Sequence, residues 1–148
     1  MKIIYRFLSA IQHPFLLLLR LYWGFSFFQT GWGKFHNMSN VVEFFTSLGI
    51  PFPQYNATLV ASVETVGGLC LLFGLFARLV SVPLAINMIV ALLTAHSKET
   101  FNLFQDPNAF LAEEPILFLN AALIIMLFGP GLFSLDALRC WIKNRVAK

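Results

Sequence analysis

Charge is what this chain has least of. Asp, Glu, Lys and Arg make up only 11% of its 148 residues, where a soluble domain of ordinary composition carries about 25%. Cysteine is limited to Cys70 and Cys140, far apart in sequence; without a close-spaced pair there is no dithiol motif to exchange with a quinone. No Walker loop, dinucleotide fingerprint, HExxH helix or serine-nucleophile elbow occurs, so no recognisable motif makes the chain a catalyst on its own. Ser/Gly-rich linkers, charge blocks and internal repeats are also missing, which leaves one compact domain over residues 1–148. The formal net charge of +3 is too small and too scattered for nucleic acid.

What is abundant is apolar surface: 58% of the residues are hydrophobic and 17 are Phe. The central stretch, Ala57 to Arg78, is an apolar helix with a single carboxylate, Glu64. An ionisable group in a helix of membrane length is expensive and faces a partner, a cavity or a ligand. Ala57, Ala61 and Gly68 fall on its side of the helix, a seam of small residues that admits a close neighbour. Glu64 either serves a function or pins helices together by accepting hydrogen bonds.

Three more apolar segments accompany it. The spans are read at about 14–31, 56–76, 79–96 and 115–128, giving an all-α, integral membrane four-helix bundle. Arg20 lies inside the first span, where it snorkels to the near interface or turns inward; Gly24 and Gly31 share its face, and Glu64 is its natural partner. Gly31 to Asn40 reads as a turn rich in polar and aromatic residues. Asn40 with Glu43 resembles a capping box opening a short amphipathic helix at about 40–48, with Val41, Phe44, Phe45 and Leu48 on one face, which lies along the membrane surface as a linker or a roof. Asn87 in the third span comes to a depth similar to that of Glu64, as a clamp or as part of a pocket. Asn120 sits a turn or two inside the fourth. Between the third and fourth spans, Ser97 to Glu114 reads as an interfacial loop whose aromatics dip toward the headgroups. Gly129 to Gly131 ends the fourth span, and Ser134 caps a last interfacial helix at about 134–145.

Four spans put both termini on one side. Lys2, Arg6, Arg20, Arg78, Arg139, Lys143, Arg145 and Lys148 fall on that side, against Lys34 and Lys98 on the other, so the termini are expected in the cytoplasm. Lys34, His36, His96 and the pair Glu113/Glu114 then gather near the outer face. His13 belongs to the inner end and His36 and His96 to the outer one, so no two histidines match in depth for a haem. No metal site is expected.

The stretches Leu19–Gly24 (LRLYWG), Gly31–Lys34 (GWGK), Leu48–Pro51 (LGIP), Glu64–Gly68 (ETVGG), Phe73–Arg78 (FGLFAR) and Gly129–Asp136 (GPGLFSLD), in this order, resemble the DoxX family of small bacterial membrane proteins. The resemblance implies a four-helix bundle in the bacterial inner membrane. It also implies an association with electron transfer to quinone, since relatives include the membrane subunit of a thiosulfate:quinone oxidoreductase, and with redox-stress complexes containing superoxide dismutase and a sulfurtransferase. Arg20, Lys34, Glu64 and Arg78 match polar positions that recur in the family.

The leading expectation is a membrane subunit that binds a quinone-like lipophilic ligand and couples it to a soluble or membrane-bound redox partner. Glu64 would handle a proton, with Asn87 and His96 donating to a carbonyl oxygen, Lys34 and Arg20 setting the electrostatics, and Asn120 as a further candidate ligand-binding residue. Competing readings are a non-enzymatic scaffold that recruits soluble partners and a small-solute transporter. The transporter needs a homo-oligomer, for which the Gly24, Gly31, Ala57, Ala61 and Gly68 seam offers a face unless internal packing consumes it.

Overall fold

In the computed structural model, residues 2–97, 100 and 107–146 are described. Seven helices form among them: α1 (Lys2–His36), α2 (Met38–Ser47), α3 (Pro53–Phe73), α4 (Ala77–Thr94), α5 (Pro107–Ala112), α6 (Glu114–Phe128) and α7 (Leu135–Val146). The long helices close a ring: α1 packs on α3, α3 on α4, α4 on α6, and α6 returns to α1. The expected four-helix bundle is therefore present. Most of the loop read between Lys98 and Asp106, with Phe101 and Phe104, lies outside the described residues.

The tightest contact is α1 against α3, and it exists because glycines face each other. A Cβ added at Gly24 would sit 2.7 Å from the Leu72 backbone nitrogen, and one at Gly31 would sit 2.8 Å from the Cβ of Glu64. Across the interface, a Cβ on Gly68 would run into the backbone of Phe28. With no side chains between them, the two backbones touch, the close approach that small residues permit in membrane helices. The Ala57 and Ala61 positions are fully buried as well. Internal packing thus consumes the seam, which leaves no dimer face there. Phe27, Leu71, Leu84 and Ile125 fill the centre of the bundle.

Outward-facing positions carry large apolar side chains on every long helix: Leu18 and Tyr22 on α1, Val66 on α3, Leu79 on α4 and Leu127 on α6 are each at least 60% exposed. A belt of this kind is a lipid-facing surface rather than one a water-soluble monomer maintains. By length and composition α3 and α4 are each able to cross a bilayer, and α6 is a shorter apolar helix of 15 residues.

Helix bounds differ from the sequence reading in instructive ways. The first helix does not start at Pro14 but runs through it from Lys2, at the cost of one withdrawn backbone donor. Gly31 to Lys34 is not a turn. It is helical because Gly31 is there to admit α3, and the chain turns only at Asn37. The capping box is not formed: Asn40 lies inside α2, whose N-cap Asn37 makes no side-chain capping bond. At the other end of the chain the Ser134 hydroxyl does cap α7, accepting the Ala137 N–H at 3.1 Å.

A polar knot closes the end of the bundle where α3 turns into α4 and α6 passes into α7. Arg20 is 2% exposed and donates to the carbonyls of Pro130 at 2.7 Å and Phe133 at 2.6 Å. Gly129 and Gly131 make those carbonyls available by adopting φ of 79° and 77°, values that suit glycine. Asp136 then caps α4 from a distance: its two carboxylate oxygens accept the N–H groups of Phe76 at 2.9 Å and Ala77 at 3.0 Å, satisfying donors that no earlier turn of helix provides for. Its own N–H donates to the Gly74 carbonyl at 3.0 Å. The family-like segments around Gly74 and Gly129 are thus two halves of one joint.

Candidate functional site

At the opposite end the helices stand apart around a cavity of about 750 Å³. The outer halves of α3 and α4 form its sides, and α2 lies over it with Val41, Phe44, Phe45 and Leu48 facing in. The amphipathic pattern of that short helix therefore has an internal purpose: its apolar face is a roof. Phe118 on α6 forms part of the far wall, held edge-on against Phe27 at 4.6 Å and Trp23 at 5.0 Å between ring centroids. Most of the lining is aliphatic or aromatic, the usual character of a small-molecule pocket with a few polar groups to orient its occupant.

Those polar groups are at the floor and the mouth. Glu64, 3% exposed in its side chain, is ion-paired and hydrogen-bonded to Lys34, whose side chain keeps 28% exposure toward the cavity. The ammonium stabilises a carboxylate that burial alone would disfavour in its charged form. Asn87 lines the same cavity, and its side-chain nitrogen is buried with no hydrogen-bond partner. A buried donor without an acceptor is costly, about 1–3 kcal/mol, and is relieved by any ligand that brings an acceptor. At the mouth, His96 at the end of α4 pairs through Nδ1 with the carboxylate of Glu113, the N-cap residue of α6.

The cavity therefore brings together Glu64, Lys34, Asn87 and His96, four of the six residues singled out in the sequence. The other two lie elsewhere. Arg20 is in the knot at the far end and reaches neither Glu64 nor the cavity. The expected Arg20–Glu64 pairing is replaced by Lys34–Glu64, because the glycine contacts set Gly31 opposite Glu64 and leave Arg20 beside Gly74. Asn120 is exposed on α6 and takes no part in the lining. His36 is likewise exposed, its Nδ1 3.0 Å from the Trp32 carbonyl oxygen.

A second hollow of about 470 Å³ lies at the knotted end, between Phe76, Arg78, Leu79 and the Pro130–Ala137 segment. Its one carboxylate, Asp136, is occupied in capping α4. Asp136 is the structural residue that the sequence reading passed over; the signal was there only as part of the GPGLFSLD stretch, with nothing to say which helix it would cap.

A helical bundle wrapped in an apolar belt, with a buried ion pair inside it, has the character of a membrane protein. The family model for DoxX matches residues 15–97, and the chain belongs to the DoxX family. Among its relatives, the "Putative oxidoreductase CatD" of Bacillus subtilis is 39% identical over 85 residues, 57% of this chain and 62% of that protein. The inner membrane protein YqjF of Escherichia coli is 25% identical over 131 residues, 88% of this chain and 96% of that one. The membrane protein Rv3486 of Mycobacterium tuberculosis is 32% identical over 143 residues, 88% of this chain and 85% of that one. The matched part thus spans less than two thirds of CatD but most of the other two. No solved structure matches the chain significantly.

Proposed function

We propose that this protein is a multi-pass subunit of the bacterial inner membrane whose chamber binds a quinone-like lipophilic ligand on behalf of a redox complex. The observation that carries this reading is the polar part of the chamber's lining: an ion pair, Lys34–Glu64, and an unsatisfied Asn87 donor among mostly aliphatic and aromatic side chains. A carbonyl oxygen of the ligand accepts from Asn87 or Lys34, and Glu64 relays, one after the other, the two protons that accompany its reduction or oxidation. A separate partner, soluble or membrane-bound, supplies or removes the electrons of the two-electron, two-proton interconversion. The name of CatD, an oxidoreductase, supports a redox setting; that of YqjF supports the inner membrane.

In this reading α1, α3, α4 and α6 cross the bilayer with both termini in the cytoplasm, as the excess of Lys and Arg at that end directs. The knotted end is then cytoplasmic and the chamber lies toward the outer leaflet. α7 rests along the inner interface, with Leu138, Trp141 and Ile142 toward lipid. The test is retention of quinone by protein purified in native lipid, compared with Glu64→Gln. Quinone at one equivalent or less that the variant loses or binds more weakly supports the reading. Protein that retains none, and binds none when it is supplied, refutes it.

A further inference from the structure

The chamber is open sideways. Leu59 on α3 and Ile86 and Val90 on α4 line it, yet they are 55%, 54% and 47% exposed. Each belongs to the outward face of its helix: Leu59 is in line with the exposed Val66 and Phe73, and Ile86 and Val90 with the exposed Leu79, Val82 and Leu93. A side chain serves both as cavity wall and as part of the lipid-facing belt only at a rim. The rim here is a slot between the outer halves of α3 and α4. Toward the knotted end the slot is shut, because Leu84 packs directly over Gly67, within 3.1 Å of where a Cβ would stand. Toward the other end the roof helix α2 covers it.

The floor restricts what can use this entrance. Glu64 and Lys34 cancel one another, and the other charged groups of the lining, the His96–Glu113 pair and the exposed Glu114, belong to the mouth, so a charged head at the floor meets a like charge there with no unpaired counter-charge beside it. Asn87 offers an N–H donor with no acceptor. The complement is an uncharged group bearing a hydrogen-bond acceptor.

We propose that ligands enter and leave laterally from the bilayer through the α3–α4 slot, and that the class admitted is a neutral lipid with an acceptor-bearing head at the Asn87–Lys34 floor and an apolar tail lying in the slot. This rests on reading the chamber as a lipophilic-ligand site and adds the route and the charge of the ligand. Ile86 and Val90 are selectivity residues because they form the rim, and Asn87 because it meets the head.

The experiment uses the full chain in phosphatidylcholine nanodiscs with two photoactivatable probes: a long-chain ketone with a mid-chain diazirine, and the carboxylate of the same chain. Labelled residues are mapped by mass spectrometry, with and without a tailed benzoquinone as competitor. The ketone is expected to label Leu59, Ile86 and Val90 several-fold more than Leu79 and Leu117, which lie on the same belt away from the slot; the carboxylate is expected to show no such preference. Asn87→Leu lowers slot labelling about fivefold, the loss of roughly one hydrogen bond. Ile86→Trp with Val90→Trp, both on the lipid face and harmless to the core, lowers labelling at Leu59. Labelling spread evenly over the belt, equal labelling by ketone and carboxylate, or slot labelling indifferent to both sets of variants overturns the proposal. Slot labelling that depends on these residues but is not displaced by benzoquinone upholds lateral entry and counts against the quinone reading alone.

Discussion

Removing one member of the Lys34–Glu64 pair should cost far more than removing both, and the two single losses should be unequal. Breaking a buried ion pair leaves an uncompensated charge and typically costs about 3–5 kcal/mol, whereas replacing both partners with apolar residues of similar volume is often close to neutral. Glu64 is 3% exposed in its side chain and Lys34 is 28% exposed, so the orphaned ammonium regains solvation from the chamber and the orphaned carboxylate does not. Lys34→Met is therefore expected to cost about 3 kcal/mol, near the lower edge of that range, and Glu64→Leu about 1–2 kcal/mol, with the double variant within about 1 kcal/mol of the parent. The coupling from the cycle is then about 4–5 kcal/mol, well above the ~0.5 kcal/mol within which independent sites add. Reversible unfolding in mixed dodecylmaltoside and sodium dodecyl sulfate micelles, followed by circular dichroism, gives all four stabilities. Single effects that simply sum to the double, or a Glu64→Leu variant less stable than Lys34→Met, would refute the account of this pair.

Gly24→Val should fail to give a monodisperse folded protein, because its Cβ meets the backbone of Leu72 at 2.7 Å; a Gly33→Ala control, with nothing within 4 Å, should be neutral or stabilising by about 0.5–1 kcal/mol in the same unfolding assay. Asp136→Ala should lose about 1–2 kcal/mol with the cap of α4 and expose the Gly74–Phe76 turn to limited proteolysis, while Asp136→Asn, which keeps one acceptor, should lose less. Arg20→Lys should not rescue Arg20→Met fully, since one ammonium does not reproduce the forked guanidinium that reaches the Pro130 and Phe133 carbonyls together; thermal midpoints would rank parent above Lys above Met. Glu113→Gln should alter overall stability by under about 1 kcal/mol, as expected of a partly exposed pair, so any larger change in ligand binding reports on the mouth of the chamber rather than on folding.

Much of the site could be read from the chain because membrane helices penalise polar groups. Glu64 stood out as a lone carboxylate in an apolar run, and Asn87 followed from its matching depth. The spacing of Val41, Phe44, Phe45 and Leu48 marked an amphipathic helix but left open whether it was a linker or a roof. The partner of Glu64 was harder to read. Arg20 and Lys34 both lie on α1, and which of them meets Glu64 depends on the register of two antiparallel glycine-containing faces. That register is set by backbone contacts at Gly24, Gly31 and Gly68, and hydropathy has no term for it. Gly31 was misread as a turn for a related reason: a glycine that admits a neighbouring helix and one that bends the chain look alike in sequence. The role of Asp136 depends on a contact some sixty residues away, at Phe76 and Ala77, which local pattern cannot supply.

The clasp on Arg20 also has a consequence for biogenesis. Its acceptors lie 110 and 113 residues downstream, so a nascent chain carries an unmatched guanidinium in the α1 segment until synthesis has passed Phe133. Chains that stop early never acquire those carbonyls and keep a mark of incompleteness that membrane quality-control proteases can act on.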